Sequence, residues 1–408
     1  MSSTRRSARC SRRSDDRIAN NARALSFGAG TDPAQRLAPY LDGDALRGAV
    51  DAALRPALVI DEPGAGAQLL AERLRSLGAF AHLDDRRLVV IAGRNVLADL
   101  APIGPQAAEL LRAFDAAASG PRVLRLRERS LDLVAGPAVM GILNVTPDSF
   151  HDRYRELDAA RSRAFEMVAQ GASIVDVGGQ SYAAGNPRVA EDEERRRVVP
   201  VIEALVHEGL PAALSVDTAR ASVAQAALAA GAHLVNDCSG LADSRMEHVV
   251  AAWGAGLVAM HLKGELNVRS AEYEYEDALA EITDALRVLL DRARAAGVPS
   301  ESLVADPGLE FGKEPPTDLE VLDRFGDLRS LGVPLLLASS RKSFLGRLFA
   351  RPARDLLVPS LATAAQGILA GADIVRTHDV AETVDLARTL AATRPNVRAG
   401  IAVAGAPS

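Results

Sequence analysis

Lysine is nearly absent from this chain. Only three of its 47 basic residues are lysines: Lys263, Lys313 and Lys342. The others are arginines, which reads as a coding bias that turns solvent-facing lysines into arginine. A retained lysine then marks a place where a compact ammonium fits and a planar guanidinium fork does not. Cysteine is scarce too, with Cys10 and Cys238 the whole set. Two thiols cannot build a disulfide framework, and their scarcity fits a reducing, cytoplasmic setting. Long apolar runs are missing, so no membrane partner is expected. The net charge of −6 argues against general binding to nucleic acid.

What is present is a large apolar fraction, 48% of 408 residues, enough for two domains. Residues 1–35 are rich in Arg and Ser and lack an apolar stripe. They read as a disordered tail, with a transit peptide or an early start codon as alternatives. Residues 36–118 read as a small α/β domain, with strands in PALVIDE (56–62) and RRLVVIAG (86–93) and a helix in QLLAERLRSLG (68–78). RVLRLRERSLDLVAG (122–136) reads as a hairpin placed to close the bottom of a barrel over 121–397.

From residue 139 the pattern becomes regular. Apolar runs occur at VMGILNV (139–145), SIVDVGG (173–179), ALSVDT (213–218), LVNDCSG (234–240), GLVAMHL (256–262), LVADPG (303–308), PLLLAS (334–339) and DIVRTH (373–378). Each is followed by a helical segment. Continuous apolar strands are buried on both faces, as in a parallel sheet. Eight such units over about 260 residues predict an α/β fold of the (β/α)8 TIM barrel type, with a doubly wound open sheet as the alternative.

In such a barrel the C-terminal strand ends build the active site. Here they supply Asn144 running into Asp148, then Asp176, Asp217, Asn236 with Asp237, and His261 with Lys263. Asp306, Ser340 with Lys342, and Arg376 with His378 complete the circuit. Asp217, Asn236, Asp306 and Lys342 suit a flat heterocycle carrying several N–H donors and ring acceptors. Arg376 and His378 suit phosphate oxygens, and Asn144 offers a neutral oxygen to Mg²⁺. Plainer readings stand beside these. Asp176 caps a backbone turn, His261 is a satisfied barrel-top histidine, Lys313 forms a loop salt bridge, and Lys342 forms a Schiff base.

Residues 137–393 resemble dihydropteroate synthase, a folate-pathway transferase of the pterin-binding barrel superfamily. The resemblance rests on MGILNVTPDSF (140–150), IVDVGGQS (174–181), LSVDT (214–218), VNDCSG (235–240), HLKG (261–264), DPGLEFGK (306–313), SSRKSF (339–344) and IVRTHDV (374–380). It implies condensation of 6-hydroxymethyl-7,8-dihydropterin pyrophosphate with p-aminobenzoate, releasing pyrophosphate. The pterin would rest on Asp217, Asn236, Asp306 and Lys342. The pyrophosphate would rest on Asn144, Arg376 and His378, with Mg²⁺ on Asn144. Asp148, Lys342 and Arg376 are the catalytic candidates, and the p-aminobenzoate carboxylate would dock at Ser343 and Phe344. A homodimer is implied by the same resemblance.

Two loops depart from the family pattern. Where typical members read Gly-Gly-Glu-Ser-Thr-Arg-Pro-Gly, this chain reads GGQSYAAG (178–185), so Gln180, Tyr182, Ala183 and Ala184 are changes. The first loop, DSFHDRY (148–154), lacks the usual glycines, and Arg153 or Arg188 is a candidate substitute for the lost arginine. Two other readings remain. One is a pterin-binding paralogue that is non-catalytic or takes another acceptor. The other is a methyltetrahydrofolate–corrinoid methyltransferase.

Overall fold

The computed structural model describes residues 22–25, 37, 40–41, 57–61, 63–64, 66–119, 123–145, 153–182, 185–268 and 273–393. The chain divides into two compact units. One runs to Ser119 and includes Ser330–Gly332; the other holds Gly120–Arg329 and the chain from Val333.

The first unit is built on an antiparallel sheet. Its strands are β1 (Ala22–Leu25), β2 (Ala57–Asp61), β3 (Phe80–Leu83) and β4 (Arg87–Ile91), in the order β1-β2-β4-β3. Successive side chains point to opposite faces. Leu58, Ile60, Leu88 and Val90 therefore share one cluster, while Ala57, Val59, Val89 and Ile91 share another. Helix α1 (Ala67–Ser76) buries Ala67, Leu70, Ala71 and Leu74, the three-four spacing of an amphipathic helix. Helices α2 (Arg94–Leu100) and α3 (Pro105–Ser119) follow. The tail expected over 1–35 needs correction at its end. Ala22–Leu25 is an edge strand paired with β2, and Leu25 is fully buried. Pairing with an apolar neighbour orders a segment whose own composition does not.

In the second unit, eight parallel strands follow one another around a ring. They are β7 (Ala138–Asn144), β8 (Ile174–Gly178), β9 (Ala213–Asp217), β10 (Leu234–Asp237), β11 (Gly256–Met260), β12 (Leu303–Asp306), β13 (Leu336–Leu337) and β14 (Ile374–Thr377). A parallel bridge from Ala305 to Leu335 joins the two ends, so the sheet is a barrel and not an open sheet. Helices follow the strands: α4 (Arg153–Ala169), α5 (Glu191–His207), α6 (Ala221–Ala229), α7 (Met246–Trp253), α8 (Ala278–Ala295), α9 (Pro315–Asp323), α10 (Ser343–Phe349), α11 (Leu357–Ala370) and α12 (Val380–Thr393). Helix α8 shows why they form. Leu279, Ile282, Leu286, Leu290 and Ala293 line its buried stripe, and the Asp277 side chain caps it by accepting from Ala280 N.

The hairpin of β5 (Val123–Leu126) and β6 (Arg129–Asp132) seals the N-terminal end of this barrel. Leu124 and Leu126 are fully buried in one cluster with Met140, Ile174, Leu234, Val258, Val304, Leu336 and Ile374. The approach is close at the start of β11, where any residue larger than glycine would push leucine side chains aside. A Cβ at Gly256 would lie 2.3 Å from Leu126 Cδ2. Among the described residues, no helix is long and apolar enough to cross a membrane.

Candidate active site

Strand register sets the other end of the barrel. Asn144 pairs with Gly178, Gly178 with Asp217, and Asp217 with Asn236, so four strand ends share one level. Above this row lies a cavity of about 370 Å³. Asp217, Asn236, Asp306 and Lys342 line it, as do Asn144, Ser343, Arg376 and His378. The sequence-derived candidates thus converge, except Asp148, which lies outside the described residues.

Arg376 is the electrostatic centre. Its Nε donates to Asp176 Oδ2 and its Nη2 to Asp217 Oδ2, both at 2.7 Å. Burial works against its charge, but Asp176 and Asp217 raise its pKa above the ordinary arginine value. Asp217 shows the reverse balance. Burial pushes its carboxyl up to about 7 despite the Arg376 charge beside it. One oxygen of each carboxylate, Asp217 Oδ1 and Asp176 Oδ1, is buried without a hydrogen-bond partner. A buried acceptor without a protein partner is costly unless a ligand N–H or water meets it.

Asp176 was expected to cap a backbone turn. It instead lies fully buried on β8, accepting from Arg376 and, at 3.0 Å, from Asn236 Nδ2. It orients one residue from each half of the predicted site. The signal was available in VDVGG, where a carboxylate interrupts an apolar strand and shares the parity of Gly178 at the rim.

Asp306 ends β12. Burial raises its pKa, and Gly308 N donates to its Oδ1 at 2.7 Å. The chain then turns tightly over the preceding loop: a Cβ at Gly308 would lie 2.0 Å from His261 O, and one at Gly312 would lie 1.9 Å from Lys263 O. Lys313 is buried and not salt-bridged as expected. Its ammonium meets His261 Nδ1 at 2.9 Å, Gly308 O at 2.7 Å and Phe311 O at 3.0 Å, fastening this loop. Burial lowers its pKa to about 7 and holds that of His261 well below the usual range. Lys263 turns away to Glu281 and the Glu274 carbonyl.

Lys342 reaches into the cavity, where its Nζ donates to Leu309 O at 2.6 Å and lies 4.6 Å from the Phe311 ring centroid. At the start of α10, the Phe344 N–H expected for a substrate carboxylate is already taken by Glu310 Oε1 at 2.6 Å. His378 is held by Ser340, whose Oγ accepts from His378 N at 3.2 Å and lies 3.1 Å from His378 Nδ1. Burial and the nearby Arg376 charge lower the His378 pKa to about 4, so the ring is neutral at pH 7.

The altered second loop is tied inward. Gln180 Oε1 accepts from Val189 N, and Asn267 Nδ2 donates to Ser181 O. Tyr182 packs with Cys238, Met260 and Leu266, and its hydroxyl accepts from Ala219 N and donates to Glu194. Glu194 is fully buried and also holds Thr218 and Arg220. Of the two candidate replacement arginines, Arg188 donates to Leu266 O at 3.4 Å. The side chain of Arg153 lies outside the described residues.

A closed barrel whose mouth sets the orphaned Asp217 oxygen beside a half-buried arginine makes a small-molecule site suited to a polar heterocycle. The family model of pterin binding enzymes matches residues 140–378, and the chain belongs to that family. Within the family it resembles the dihydropteroate synthases, which are transferases. It is 41% identical over 274 residues to dihydropteroate synthase of Bacillus subtilis, covering 66% of this chain and 90% of that protein. A probable bifunctional folylpolyglutamate synthase/dihydropteroate synthase of Haloferax volcanii is 43% identical over 264 residues, and the match spans 31% of its length and 64% of this chain. Among solved structures, Xanthomonas albilineans dihydropteroate synthase with 4-aminobenzoic acid superposes with a TM-score of 0.63 at 36% identity. That match covers 68% of this chain and 99% of that one.

Proposed function

We propose that the chain condenses 6-hydroxymethyl-7,8-dihydropterin pyrophosphate with p-aminobenzoate and releases pyrophosphate. The observation that carries this reading is the convergence of Asp217, Asn236, Asp306, Lys342, Arg376 and His378 on one cavity. The aminopyrimidinone edge of the pterin offers N–H groups to Asp306 and to the orphaned Oδ1 of Asp217, while Asn236 supplies a donor and an acceptor. Lys342 reaches the heterocycle with a single thin ammonium.

Arg376, the His378 imidazole and the Asn144 amide face the diphosphate. As the bond from methylene to diphosphate oxygen breaks, negative charge grows on the leaving group, and Arg376 is held in place to stabilise it. The arylamine nitrogen then attacks the methylene carbon and gives up a proton. The barrel's share is positioning and charge stabilisation.

The donor set fits Mg²⁺ only together with substrate. Among the described residues no group of three or more His, Cys, Asp or Glu gathers into a metal cage, and Asn144 gives one neutral oxygen. Mg²⁺ bound there would neutralise diphosphate charge. Asp148 as a catalytic carboxylate, a cytoplasmic setting and a homodimer belong to this same reading.

The test is an assay of the purified chain with both substrates and Mg²⁺. Dihydropteroate and pyrophosphate should appear in equal amounts, and Arg376→Met should slow their formation by about a hundredfold or more. Pterin binding without product at saturating substrates would leave a paralogue with another acceptor, and methyl transfer to a corrinoid protein would leave the methyltransferase.

A further inference from the structure

Glu310 is a carboxylate in an unusual place. Its φ is +71°, a left-handed conformation that side-chain-bearing residues rarely adopt. Two contacts hold it there. Its own N–H donates to Asp318 Oδ1 at 2.8 Å, and its Oε1 accepts from Phe344 N at 2.6 Å. Backbone and side chain are therefore both fixed, and the residue lines the cavity.

The carboxylate pairs with no cation among the described residues. Five carboxylates and five cations line the cavity, and the two cations of the neighbouring segment are engaged elsewhere: Lys342 by the Leu309 carbonyl, and Arg347 by Glu314 at 2.8 Å. The charge of Glu310 itself meets one backbone N–H.

In the condensation proposed above, on which this inference rests, the resemblance docks the acceptor's carboxylate at Ser343 and Phe344, and Glu310 already occupies the Phe344 N–H. An acceptor carrying a carboxylate would bring a further negative charge to this wall. We infer that Glu310 is a specificity-determining residue, whose fixed charge disfavours a carboxylated arylamine relative to an uncharged one. The neutral amide of p-aminobenzoate is the matched probe, because it keeps the ring, the nucleophilic amine and the overall size.

The experiment compares kcat/KM for p-aminobenzoate with that for its amide in the wild type, Glu310→Gln and Glu310→Gly. The glutamine keeps an oxygen for Phe344 N and removes the charge; the glycine suits the left-handed backbone. In both variants the ratio of acid to amide should rise by about tenfold at low salt, and by less at high salt. A loop role alone would move both acceptors together, so an unchanged ratio overturns the inference. Calorimetry of the two arylamines with the pterin alcohol and pyrophosphate gives the same ratio without turnover. A chain that binds both arylamines but makes no product therefore refutes the condensation while still deciding the role of Glu310, and a chain that binds neither refutes both.

Discussion

Arg376 answers to two carboxylates at once, and only Asp217 is reachable by substrate in the proposed reaction. Asp176 lies behind them and acts as a positioning residue for both Arg376 and Asn236. Asp176→Asn keeps the volume but leaves the guanidinium with one carboxylate. We expect kcat/KM to fall by about 10- to 100-fold, as losses behind a ligating side chain commonly do. Steady-state kinetics checks this, and unchanged kinetics would return Asp176 to a purely structural role. His378 gives a separate pH signature. Its folded pKa is about 4, below the ordinary imidazole value of 6.5. Between those values the unfolded ring binds more protons than the folded one, so stability falls as pH drops from 6.5 towards 4. Urea unfolding across that window should show a shallower loss in His378→Asn than in the wild type.

At the scale of elements, the hairpin beneath the barrel is a packing device. Leu126 is fully buried against the start of β11. Leu126→Ala should destabilise the protein by about 3 kcal/mol, the usual cost of a buried leucine cavity, read from the shift in urea midpoint. This hairpin and the eight barrel strands were legible because their apolar runs are bounded by turns and charges. Strand-end residues such as Asn144, Asp217 and Asn236 were legible for the same reason: once strand limits are known, register follows. Ala22–Leu25 was not, since ARAL has no β-branched residue and gains order only by pairing with β2. Phe80–Leu83 was equally faint as a strand. Glu310 was hidden for a different reason. Its importance lies in a backbone angle and a bond to Phe344, and neither leaves a mark in composition or periodicity.

For the whole molecule, ligand binding and stability are linked. The cavity is lined by Asp217, whose Oδ1 has no hydrogen-bond partner within the protein. A pterin substrate present at a hundred times its Kd should stabilise the folded chain by about 2.7 kcal/mol, raising its unfolding midpoint by about 3–5 °C. Differential scanning calorimetry with and without the pterin tests this, and the Asp217→Asn variant should show a smaller rise at the same concentration.

The plug of Leu124 and Leu126 has a kinetic corollary. The barrel interior above it is packed with side chains, so in the proposed reaction both reactants would enter, and both products leave, through the single mouth at the other end. In that reaction the heterocycle would occupy the deep end, among residues of the strand row. An arylamine arriving first would stand in its path, which favours a sequence in which the pterin lodges before its companion follows.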